Sequence, residues 1–211
     1  MNKRLVFLAA WLVLAVSCAE SRQETMDQII DRVFEVAAEQ SKLMASSLDA
    51  NETPKTFEGD SLVTASPEWW CSGFFPGVLW YIYEYDADPE IKELALRETA
   101  KVEDIKYVTD HHDVGFQINC SYGNQYRLTG DEHALEVLRT AAKSLTGAFT
   151  EEVGCIKSWP FVKPGFSWVY PVIIDNMMNL ELLLKAVQLG GEEYLKDVAL
   201  THARTTMKNH Y

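Results

Sequence analysis

Beyond its first two dozen residues the chain reads as helix after helix, with no convincing run of alternating strand residues, and this limits it to an all-α architecture. From Met26 the apolar residues Ile29, Ile30, Val33, Phe34 and Ala37, then Leu43 and Met44, recur at helical spacing. Between Asn51 and Glu68 that period is lost, and Pro54, Gly59 and Pro67 mark a long connection. A second helix is expected from Gly73 or Pro76 to about Tyr85, and a third from about Pro89 to Val108. Asn119 to Leu128 forms a fourth, stopped by Thr129-Gly130. Asp131 caps a fifth, whose stripe is Ala134, Leu135, Leu138, Ala141, Ala142, Leu145 and Phe149. Gly154 to Tyr170 reads as a loop, Val172 to Leu189 as a sixth helix ended by Gly190-Gly191, and Glu192 onward as a seventh. Seven helices joined by alternately short and long connections predict an array of helical hairpins. The helical pattern is still running at His210-Tyr211, so the expectation is a fragment of a larger helical domain.

The N-terminus has the zones of a secretory signal: Lys3 and Arg4, an apolar run from Leu5 to Val16, then Ser17, Cys18 and Ala19. The run is shorter than the roughly 20 residues that span a bilayer, so residues 1–17 are expected to be removed. Leu14-Ala15-Val16-Ser17 followed by Cys18 is similar to a bacterial lipobox, which makes Cys18 the expected lipidation site and an N-terminal lipid the only expected membrane contact. The expected location is the periplasm or the outer membrane of a bacterium. Cys71, Cys120 and Cys155 are spaced neither as a zinc site nor as a redox pair, and nothing selects a disulfide among them. A net charge of −12 argues against nucleic acid as a partner.

Three islands stand apart from ordinary helix surface: Trp69 to Gly77, His111 to Phe116, and Val172 to Asn179. Each lies at or just before a helix start, and in a hairpin array such ends can converge on one face. Asp175 follows three apolar residues and precedes two methionines, so burial and the positive helix end pull its pKa in opposite directions. Asn176 and Asn179 beside it need partners or a ligand in so apolar a stretch. Asp113, preceded by two histidines, supplies the second carboxylate that acid/base chemistry wants, one group ionised and the other holding a proton. His112-Asp113 with a downstream Asp is also the pattern of metal-dependent HD phosphohydrolases, but no separate upstream histidine exists, so no metal or other cofactor is expected. Trp69, Trp70, Trp159 and Trp168 fall in loops or at helix starts, where flat faces can stack on a pyranose ring.

At these islands the sequence resembles the unsaturated glucuronyl hydrolases of glycoside hydrolase family 88. The likeness comprises Trp70 with Ser72 to Gly77 and Leu79-Trp80, then His112 to Phe116, Tyr122-Gly123 and Tyr126 to Asp131. It continues through Ser158-Trp159, Ile174 to Leu183 and His202 to His210. The resemblance implies an (α/α)6 barrel, here incomplete at about seven of twelve helices over residues 18–211. It implies removal of the unsaturated uronic acid from the non-reducing end of lyase-generated oligosaccharides by hydration of the C4=C5 bond. Asp175 would then be general acid and base, Asp113 would assist and orient it, and His112 and Trp70 would line the uronate subsite. Trp159 and Asn176 are the further expected substrate contacts. An unsaturated rhamnogalacturonyl hydrolase and an inactive glycan-binding fragment are the alternatives. Another active-site histidine and a glutamine of the family would lie past Tyr211, and a half barrel would expose the inner faces of its helices.

Overall fold

The computed structural model describes residues 24–210; the expected signal segment and Cys18 lie outside them. The chain divides into two compact units, Met1–Val36 and Ala37–Tyr211. The described part of the first unit is helical, the beginning of α1 (Met26–Ser46). The second unit continues through β1 (Thr53–Glu58), β2 (Ser61–Ala65), α2 (Phe74–Asp86), α3 (Pro89–Ala100) and a 3-10 turn (Glu103–Tyr107). Then come α4 (Val114–Cys120), α5 (Tyr122–Thr129), α6 (Glu132–Leu145), β3 (Phe149–Thr150), β4 (Cys155–Ile156), α7 (Asn176–Gln188) and α8 (Tyr194–His210).

The core of the second unit is built on α6. Its stripe residues Ala134, Leu135, Leu138, Ala141, Ala142 and Leu145 are all buried, joined by Val137. Around it stand Val102, Ile105, Val114, Ile118, Leu182, Leu183, Leu195 and Ala199, from the 3-10 region, α4, α7 and α8. Each fully buried Leu or Ile there contributes about 1.5–3 kcal/mol. Sequential helices pack as pairs, α2 with α3, α5 with α6 and α7 with α8, which is the hairpin array expected from the period. In the first pair Leu79, Trp80 and Ile82 of α2 and Ile91 and Ala95 of α3 are all buried, and the Trp80 indole N–H donates to Thr99 Oγ1 at 2.9 Å. Cys71, Cys120 and Cys155 are free thiols.

Five expectations are corrected. The connection after α1 holds an antiparallel β-hairpin, Thr53–Glu58 against Ser61–Ala65, turning on Gly59-Asp60 with Gly59 at φ 60. Only Thr53 of β1 is buried, so no apolar alternation advertised it; Gly-Asp was the available turn signal. A second, two-residue hairpin pairs β3 with β4. The third helix ends at Ala100, because Lys101 turns back to donate to the Asp49 and Glu52 carbonyls and pairs with buried Glu98 at 2.8 Å. The fourth splits at Ser121 (φ −91, ψ −83), whose buried hydroxyl donates back to the Gln117 carbonyl and so competes with the helix ladder. The sixth begins at Asn176, because the Ile173 N–H is taken by Ser158 Oγ at 3.0 Å.

Candidate active site

The three islands interlock through glycines. Gly73 precedes α2, and a Cβ on it would fall inside the Gln117 backbone of α4. Gly115, in the first turn of α4, lies where a Cβ would sit 2.5 Å from Asn179 Oδ1 and 2.7 Å from its Cα. Only hydrogen at these two positions lets the starts of α2, α4 and α7 approach so closely. Polar contacts complete the lock. Gln117 Nε2 donates to the Pro67 and Trp69 carbonyls and to Ser72 Oγ, which holds the turn bearing Trp70 against α4. The Phe116 N–H donates to Asn179 Oδ1 at 2.7 Å, tying α4 to α7.

Asp113 and Asp175 occupy the N-cap positions of α4 and α7, and neither side chain makes a cap hydrogen bond. One side-chain atom from each of His112, Asp113 and Asp175 lies within 4.8 Å of the others. His112 is 2% exposed, its Nε2 stands 3.3 Å from Asp113 Oδ1, and its Nδ1 lies 3.0 Å from Asn179 Nδ2. His111 Nδ1 accepts the Asp113 N–H at 3.2 Å. Burial drives the electrostatics. It pushes the Asp113 carboxyl up to about 7, with the Asp175 charge adding to the effect. It also raises Asp175, against the opposing pull of the Asp175 and Asn176 N–H groups, and lowers His112 to about 4, with His111 and His202 contributing. Near neutral pH the site therefore holds a neutral imidazole and a carboxyl pair that retains a proton. Asp175 Oδ1 is buried and has no hydrogen-bond partner among the described residues.

Around this centre the expected residues fall into three groups. Trp70, 44% exposed, packs edge-on against Phe74 (5.8 Å between centroids) and tilts over Phe116 (6.4 Å), which itself meets the His112 ring. Trp159 stacks on Phe161 and meets Trp168 edge-on at 5.8 Å, with Lys163 Nζ 4.2 Å over its ring. This second aromatic group borders its own cavity of about 490 Å³, which reaches Val172 and Ile173. Asn176 is not in the cleft. It is 1% exposed, its Oδ1 accepts from Ser158 Oγ at 2.8 Å, and its Nδ2 donates to the Ile156 carbonyl at 2.7 Å, so both ends of the amide brace the chain. Asp175 also opens on an apolar cavity of about 610 Å³, lined by Ile174, Met178, Leu200, Ala203 and Met207 among others.

Gln117 and Ser158 were not among the expected site residues, and Asn179 was expected only to need a partner or a ligand, although all three hold the site together. Gln117 and Ser158 sit in ordinary-looking sequence and gain meaning only from partners 45 or more residues away for Gln117 and from both α4 and α7 flanks for Ser158. Among the described residues, His112, Asp113 and Asp175 are the one group of histidines, cysteines and carboxylates close enough to hold a metal ion, and they offer three donors with no second histidine.

No family model matches the chain. Individual proteins do. It is 38% identical over 173 residues to an unsaturated glucuronyl hydrolase of Formosa agariphila, covering 81% of this chain and 43% of that protein. The crystal structure of an unsaturated glucuronyl hydrolase specific for heparin superposes with a TM-score of 0.79 at 41% identity, covering 85% of this chain and 48% of that one. A variant of the unsaturated glucuronyl hydrolase from Streptococcus agalactiae, complexed with dGlcA-GalNAc6S, gives 0.67 at 26% identity, covering 87% and 43%. The helices thus resemble those of a helical-barrel glycoside hydrolase. Within that class the chain is a relative of the unsaturated glucuronyl hydrolases, glycoside hydrolase family 88, and spans about half the length of the relatives it matches.

Proposed function

We propose that the protein removes the unsaturated uronic acid from the non-reducing end of glycosaminoglycan-type oligosaccharides left by polysaccharide lyases. The observation that carries this reading is the convergence of Asp113 and Asp175, two uncapped and desolvated carboxyls, beside a neutral histidine whose neighbour Phe116 packs on the exposed Trp70. The named activity of the relatives and the uronate disaccharide held by the Streptococcus agalactiae enzyme support it.

In this reading the proton shared by the Asp113–Asp175 pair passes to C4 of the C4=C5 bond from Asp175, whose Oδ1 is committed to nothing else. Water adds at C5 as its proton returns to the Asp175 carboxylate. The product is a hemiketal, which opens and releases the second sugar. Asp113 holds the pair at one proton between them, His112 and Trp70 bind the uronate, and Trp159 stacks on a following sugar. Because the bond attacked is a vinyl ether, the carboxyl separations that distinguish retaining from inverting glycosidases do not govern the outcome.

The test is to incubate the chain with an unsaturated glycosaminoglycan disaccharide in D2O. Loss of the ultraviolet absorbance of the C4=C5 bond with deuterium entering at C4 supports the mechanism. Release of an intact unsaturated sugar, by displacement at the glycosidic carbon, rejects it. Export with a lipid on Cys18 belongs to the same proposal: metabolic labelling with a tagged fatty acid is expected to mark the chain and not Cys18→Ser.

A further inference from the structure

The hydrogen-bond partners of Asn179 leave its amide only one orientation. A backbone N–H can only donate, so the atom receiving the Phe116 N–H at 2.7 Å must be the amide oxygen. The amide nitrogen then faces His112 Nδ1 at 3.0 Å and the Asp175 carbonyl at 3.3 Å, and an NH2 group has nothing to offer either of them but hydrogen. His112 Nδ1 must therefore present its lone pair. In a neutral imidazole the proton then resides on Nε2, the nitrogen 3.3 Å from Asp113 Oδ1.

From this geometry we infer that Asn179 is a positioning residue: it fixes His112 as the Nε2–H tautomer, so that His112 offers Asp113 a hydrogen and neither takes a proton nor presents a lone pair there. Three consequences follow. His112 is a fixed donor in the proton economy of the pair, favouring the ionised form of Asp113 against the burial that disfavours it. The same tautomer removes the Nε2 lone pair that a metal ion at His112, Asp113 and Asp175 would need. Finally, Asn179 links the ring of His112 to the backbone N–H three residues after Asp113 and to the carbonyl of Asp175, so one amide registers the segments that carry both carboxyls. Gly115 belongs to this arrangement, since any Cβ there would displace the Asn179 amide.

The inference goes beyond the proposed activity and is tested without it. In the full chain labelled with ring-15N histidine, NMR is expected to show His112 neutral at pH 7, with hydrogen on Nε2 and a lone pair on Nδ1. Hydrogen on Nδ1 in the unsubstituted chain overturns the inference whatever any variant does. The isosteric Asn179→Asp places an acceptor oxygen opposite Nδ1, and Nδ1 is then expected to be protonated, in a neutral or a charged ring. A folded Asn179→Asp chain in which Nδ1 keeps its lone pair overturns it equally. If the chain turns over substrate, kcat of Asn179→Asp is expected to fall on the order of 100-fold with KM changed far less, and its pH profile to shift. Failure of the hydrolase reading would leave the ring-nitrogen result standing, so the two outcomes are separable.

Discussion

Four of the described helices begin at an aspartate, and they divide into two kinds. Asp88 and Asp131, before α3 and α6, have extended backbone (ψ 119 and ψ 114), and their carboxylates accept the Glu90 and His133 N–H groups. Asp113 and Asp175, before α4 and α7, have helical backbone (ψ −11 and ψ −15) and make no cap bond. A side chain can fold back over the first turn only from the extended conformation. The helical one turns it away and leaves its oxygens for other use. The electrostatics follow: Lys42 beside Asp88 holds that carboxyl below its usual range, while burial raises Asp113 and Asp175 above theirs. The first kind uses its carboxylate to stabilise a helix, and the second sacrifices that contribution and keeps the group reactive.

Substitutions should split along the same line, and the largest effect is on turnover. Asp175→Asn is expected to lower the rate of C4=C5 loss by about 10²–10⁴-fold, while Asp131→Asn leaves it unchanged; equal losses would erase the distinction. Next comes the packing that holds the uncapped starts together. Gly115→Ala must push against the Asn179 side chain and backbone, and thermal or denaturant unfolding is expected to register a loss of about 3 kcal/mol. Gly130→Ala, at φ 68 with open space around it, should cost about 1 kcal/mol.

The pH dependence of stability gives the third comparison. An acid whose pKa is higher in the folded state favours folding in its protonated form, so for Asp113 the advantage is complete below its ordinary value of 3.8 and is lost as pH rises to about 7. Asp113→Asn removes that dependence and is expected to be more stable than the unsubstituted chain by about 2–4 kcal/mol at pH 8, with no difference near pH 4. Asp88 runs the other way: its lowered pKa contributes stability above the ordinary value, which is lost on acidification. The smallest effects are those of the ordinary caps, about 1 kcal/mol for Asp88→Ala or Asp131→Ala in urea unfolding. A cost of that size for Asp113→Ala at pH 8 would show that it caps after all.

Much of this was legible in the chain. The stripe of α6 from Ala134 to Leu145 and its Asp131 cap stand where the helical period puts them, because an amphipathic helix carries its burial in its own spacing, whereas Phe149, expected on the same stripe, lies past the helix end in β3. The grouping of Asp113, His112 and Trp70 near helix starts was also legible, since each island combined polar groups with apolar neighbours that regular helix surface does not explain. Strand Thr53–Glu58 was not legible, because with one buried residue it has no face to advertise. Nor was Asn176 as a brace: adjacent to Asp175 and polar, it looked like a substrate contact until Ser158 and the Ile156 carbonyl were seen to occupy both ends of its amide.

The sequence by itself determined that this would be a helical protein of paired helices, with Asp131 as a helix cap and Asp113 and Asp175 near helix starts in apolar surroundings. Only the tertiary structure decided that Asp113 and Asp175 are uncommitted carboxyls and not caps like Asp131. The residue type is the same in all three places. What differs is a backbone torsion and the set of neighbours: Asn179 of α7 joins the Phe116 N–H, the His112 ring and the Asp175 carbonyl, through contacts that two glycines allow. Desolvation is a sum over such neighbours and has no period along the chain, so it becomes visible only once the helices are packed.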